Sequence, residues 1–107
     1  MKKSLIALML CTSVVHAEFL DGNKLLSLMN TSSATQQINA LSYIAGVSDS
    51  LQGVMACPPP NVKLGQIYDM TKKVLEETPS ERHNSADSFV RFVLIQTWPC
   101  KRNGKDT

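Results

Sequence analysis

Cys57, Cys100 and His83 are the side chains of this sequence with the most reactive chemistry, and their spacing limits what they can do. The two thiols form no Cys-x-x-Cys pair of the kind redox proteins use, and as nucleophiles they would have to stay reduced. Two cysteines and one nearby histidine are too few for a zinc site and lack ligand spacing. His83 stands in the charged run Ser80-Glu81-Arg82-His83, the ordinary setting of a solvated loop histidine. Ser48-Asp49-Ser50 and Asp69 fall on helical stretches, where short polar side chains face water or hydrogen-bond locally. Glycine-rich phosphate loops are absent. The sequence therefore predicts no catalytic residue, no metal site and no cofactor.

The beginning of the chain sets the compartment in which those thiols would sit. Lys2 and Lys3, an apolar run from Leu5 to Val15 and the small-residue site Val15-His16-Ala17 read as a bacterial-type export signal at 1–17, cleaved after Ala17. A run of about 11 residues is well short of the roughly 20 a transmembrane helix needs, so a soluble product without membrane insertion is expected. Cys11 follows Leu10 where a lipoprotein signal wants a small residue, and it would leave with the signal. That leaves Cys57 and Cys100, an even number in an exported chain, which favours one structural bridge. Closing a loop of about 44 residues is worth roughly 4 kcal/mol in the chain-entropy model. Lys2 and Lys3 account for the net charge of +2. The remainder is balanced apart from a solvated basic tail at Lys101, Arg102 and Lys105, so charge offers nothing to nucleic acid.

Residues 18–107 are too few for two cores and form one domain. Apolar residues recur at three and four, so the expected fold is all-α: a small single-domain bundle of about four helices with one disulfide. The first helix is expected over Asp21 to Met29 and ends at Asn30-Thr31-Ser32-Ser33. Ser33 and Gln36 fit a capping box for the second and longest helix. Its face carries Ala40, Ile44, Val47, Leu51 and Val54, widened by Ile38 and Leu41; Gly46 or Gly53 could mark close helix approach. Cys57-Pro58-Pro59-Pro60 is the expected stop. Asn61 is a cap for a third helix from about Lys63 to Glu77, with Leu64, Ile67, Thr71, Val74 and Leu75 inward. Asn84 or Ser85 opens the last, with Ala86, Phe89, Val90, Val93, Leu94 and Thr97 inward and Pro99 as the stop.

An up-down-up order of the last three helices brings Cys57 and Cys100 together, as a disulfide with Cα atoms within about 7 Å requires. A rigid stapled scaffold without chemistry presents surfaces to other proteins, and loops are the usual place for contacts. The polar, proline-anchored loop from Thr78 to Ser85 is the candidate partner surface, with Thr78, Ser80, Glu81, Arg82, His83, Asn84 and Ser85 as its residues.

An ordered set of residues carries a family resemblance: Phe19-Leu20-Asp21-Gly22-Asn23-Lys24-Leu25-Leu26, Tyr43-Ile44-Ala45-Gly46-Val47-Ser48-Asp49, Cys57-Pro58, Leu64-Gly65-Gln66, Pro79 with Arg82, Ala86, and Trp98-Pro99-Cys100. Together they resemble the Rap/Tai family of type VI secretion amidase immunity proteins. The resemblance implies a periplasmic helical protein, often a homodimer, that binds a peptidoglycan-cleaving amidase effector and blocks its active site. Lys63 departs from the pattern, in which threonine or serine caps the helix ahead of Leu-Gly-Gln. Two alternatives remain at this level: a periplasmic acid-stress chaperone, whose acid switch would depend on carboxylates because His83 alone titrates near mild acid, and an orphan or phage-encoded periplasmic helical binding protein on the same scaffold.

Overall fold

The computed structural model describes residues 19–101, so the expected signal at 1–17 and the tail positions Arg102 and Lys105 lie outside the described residues. Four helices follow in order: α1 (Gly22–Met29), α2 (Ala34–Leu51), α3 (Leu64–Glu77) and α4 (Ala86–Thr97), with one turn of 3-10 helix at Pro79–Glu81. All six pairs of helices pack against one another. Among the described residues the β-type pairing is limited to isolated bridges, Asp21 with Ser85, Gln52 with Ala56, and Ala56 with Pro99. The all-α expectation holds.

Local chemistry starts each helix differently. Asp21 Oδ1 accepts from the Lys24 amide at 2.8 Å and satisfies one orphan donor at the head of α1. Ser33 Oγ accepts from the Gln36 amide at 3.3 Å, the forward half of the expected capping box. At α3 the capping residue is Lys63, not Asn61. Gln66 Oε1 accepts from the Lys63 amide at 3.1 Å, but an ammonium side chain has no acceptor to return the bond. Ser85 precedes α4 without capping it through its side chain.

Leu25, Ile44, Leu75, Val90 and Leu94 are fully buried at the centre, one or more from each helix, with Ala40, Leu51, Ile67 and Phe89 around them. Thr71 is equally buried, and its Oγ1 has no hydrogen-bond partner. A lone buried hydroxyl costs about 1–3 kcal/mol, whereas an isosteric methyl costs nothing. Thr71→Val is therefore expected to raise unfolding stability by about 1 kcal/mol. A urea titration with an unchanged slope and a lower midpoint would refute this.

Two expectations about α2 need correction. The helix ends at Leu51, seven positions ahead of Pro58, because Gly53 takes φ +80° and turns the chain back on itself. The amides of Val54, Met55 and Ala56 all donate to Leu51 O, and Val54 is left 72% exposed at the tip. Its spacing from Leu51 prolonged the helical pattern past the point where the backbone leaves it. At the other end Ile38 is 59% exposed, and all of the first six residues of α2, Ala34 to Asn39, are exposed. Thr97, expected inward on α4, is also exposed.

Cys57 and Cys100 are joined, with Cα atoms 4.8 Å apart. The Cys57 amide donates to Trp98 O at 2.7 Å beside the Ala56–Pro99 bridge, so the connector after α2 is laced to the end of α4. This is the juxtaposition that the up-down-up order requires.

Candidate functional site

The loop from Thr78 to Ser85 is largely a backbone device. Arg82 O accepts from the Asn23 amide and Asn84 O from the Gly22 amide, each at 2.9 Å, and the Ala86 amide donates to Leu20 O at 2.9 Å. The loop carbonyls thereby occupy amides at the start of α1 that helix geometry leaves unpaired. Side chains are spent locally as well: Thr78 Oγ1 donates to Val74 O at 2.8 Å, and Asn84 Nδ2 donates to Glu81 Oε1 at 3.1 Å. Ser80, Glu81, His83, Asn84 and Ser85 remain exposed, while Thr78 and Arg82 are partly buried. The structure thus brings the seven residues into one short rim docked on α1, with partly buried Arg82 between exposed Glu81 and His83.

The serine and carboxylate positions weighed for chemistry do not converge. Ser48 is buried and its Oγ donates to Ile44 O at 2.7 Å; Ser50 Oγ donates to Val47 O at 2.7 Å. Asp49 and Asp69 are exposed on different helices. Among the described residues no three His, Cys, Asp or Glu side chains gather into a metal-binding group.

Concave surface lies elsewhere. Between α2 and α3 a groove of about 370 Å³ is lined by Gln37, Ile38 and Leu41 on one side and Gly65, Tyr68 and Asp69 on the other. Desolvation first, and the Asp69 carboxylate second, raise the Tyr68 phenol above its usual value of 10.0, so it stays a neutral donor. A Cβ at Gly65 would meet nothing within 4 Å, which leaves this part of the groove open. A second concavity of about 370 Å³ lies against the Pro58-Pro59-Pro60 connector, with Ser48, Asp49 and Leu64. A third, of about 190 Å³ between α3 and α4, has Phe92, Met70 and Val74 in its wall with Lys73 and Glu77 beside them.

The α2–α3 groove was missed because spacing alone assigns Ile38 to the core. A signal for it does exist: no Lys, Arg, Asp or Glu occurs between Lys24 and Asp49, although much of α2 faces solvent. Exposed helix faces ordinarily carry charges of both signs.

A family model described as Rap1a immunity proteins matches residues 21–100. That span runs from the cap of α1 to the second cysteine of the disulfide. No curated protein matches the chain.

Proposed function

The chain belongs to the Rap1a immunity protein family, and from that premise we propose that it is a periplasmic immunity protein that binds and inhibits the peptidoglycan-cleaving amidase effector of a type VI secretion system. The match over residues 21–100 is the observation that carries the reading, since it spans all four helices and both cysteines. The physical form of the domain supports it. A stapled bundle with buried, mutually packed helices holds its surface in one conformation, so little ordering entropy opposes association. No helix among the described residues is long and apolar enough to cross a membrane.

The protein acts by occupying the effector. The acid-chaperone alternative has less behind it: no Asp or Glu among the described residues is buried, and the one ion pair there, Lys73 with Glu77 at 3.7 Å, is exposed. Acid therefore meets no buried carboxylate pair whose protonation would loosen this core.

The test is titration calorimetry of the exported, oxidised protein against the product of the neighbouring gene, with peptidoglycan hydrolysis followed in parallel. Nanomolar binding that abolishes hydrolysis is the expected result. Absence of both binding and inhibition would defeat the reading for that pair.

A further inference from the structure

Resting on the immunity reading, we propose that the α2–α3 groove at Ile38 is the surface that docks the effector, and that it receives an apolar side chain presented from an uncharged patch of that protein. The start of α2 exposes every residue from Ala34 to Asn39, yet no charged residue occurs from Leu25 to Ser48. A helix end that stands in water without charges is poorly suited to being only a solvated face, and depletion of charge is the compositional mark of an interface centre. Ile38 is 59% exposed at the groove wall, and Tyr68 faces it, a residue type that dominates binding hot spots.

The chemistry of the partner follows from the same residues. An ion pressed against this groove would lose its hydration and find only Asp69 as a formal charge, so an uncharged patch with an apolar knob is the match. Gln37, neutral and on the α2 wall, has its Nε2 donating to Thr31 O at 2.6 Å and offers its amide oxygen at the margin. A second copy of the chain is the competing occupant, since a two-fold contact can seat each Ile38 in the groove of the other copy, and light scattering separates it from the effector. The α3–α4 groove near Phe92 also exposes an apolar side chain, 54% accessible, but the exposed Lys73–Glu77 pair flanks it as on an ordinary solvated face.

Two substitutions probe the groove without entering the core. Ile38→Asp places a carboxylate near the start of a helix, where the macrodipole tolerates it. Gly65→Leu fills the groove from a position whose Cβ has open space. Both, with Phe92→Asp as control, are titrated calorimetrically as exported, oxidised proteins against the product of the neighbouring gene, with light scattering on each. Ile38→Asp and Gly65→Leu are each expected to weaken binding at least thirtyfold, on the order of a hot-spot loss, with melting temperatures unchanged, while Phe92→Asp stays within about threefold. If the unsubstituted protein binds normally and both groove variants bind like it, the docking surface is overturned and the immunity reading stands. If they instead dissociate a dimer and leave effector affinity intact, the occupant is a second copy and the proposal fails. If the unsubstituted protein does not bind at all, the immunity reading fails and takes the docking surface with it.

Discussion

Replacing Cys57 and Cys100 together by serine is expected to lower the unfolding free energy of the protein by about 4 kcal/mol, the largest effect of any change considered. The two residues are 43 apart in sequence, and releasing them restores to the unfolded chain the loop entropy that the bridge removes. Such a quantity is about a quarter to four fifths of the stability of a domain of this size, since totals of about 5–15 kcal/mol are usual. The midpoint of thermal unfolding should accordingly fall by roughly 20 °C, at about 4–8 °C per kcal/mol. The backbone contacts around the bridge would persist in the native state, because the Cys57 amide still reaches Trp98 O and Ala56 still pairs with Pro99. Calorimetric scans of oxidised and double-serine proteins check this. A loss below about 1 kcal/mol would mean that the unfolded chain already keeps these segments together.

Gly22→Ala should cost roughly 2–3 kcal/mol, a magnitude at the upper end for overpacking. Within the first turn of a helix the same change would ordinarily help, because alanine exceeds glycine in helix propensity by about 1 kcal/mol. Here a Cβ would lie 2.8 Å from Phe89 Cε2, 2.9 Å from Arg82 O and 3.0 Å from Leu75 Cδ2. The phenyl and leucine side chains could shift at a price in packing, but the Arg82 carbonyl is held by the Asn23 amide. Gly46 is the internal control: it lies mid-helix with nothing within 4 Å of the same added atom, and Gly46→Ala is expected to gain up to about 1 kcal/mol. Opposite signs at Gly22 and Gly46 in guanidinium titrations would establish close approach at the former. A neutral Gly22→Ala would refute it.

These two glycines also mark how far the fold can be read from residue order. Punctuation was largely legible: Ser33 caps α2 as expected, while Asp21, read as the first residue of α1, is its cap. The inward faces of α3 and α4 follow from spacing, with Ile67, Thr71 and Leu75 and with Phe89, Val90, Val93 and Leu94 all buried. Periodicity reports which residues share a face, but not how far a helix outruns its neighbours. Ile38 and Val54 continue the apolar pattern of α2 at either end and are exposed for that reason. Close approach is likewise a tertiary property, which is why Gly46 and Gly53 looked like candidates while Gly22 held the contact. Among the candidate surfaces, charge drew attention to the loop from Thr78 to Ser85, whereas the absence of charge from Ala34 to Ser48 is informative only once much of that stretch is seen to face solvent.

The clasp between α1 and the segment before α4 bears on when this chain can fold. Gly22, Asn23 and Leu20 are bonded to Asn84, Arg82 and Ala86, partners some 60 residues downstream. A polypeptide threaded through a channel amino end first would present α1 long before those partners emerge, and a helix of eight residues is too short to persist alone. The disulfide waits longer still, for Cys100. In a chain threaded that way, completion of the domain would be deferred until nearly the whole polypeptide had passed.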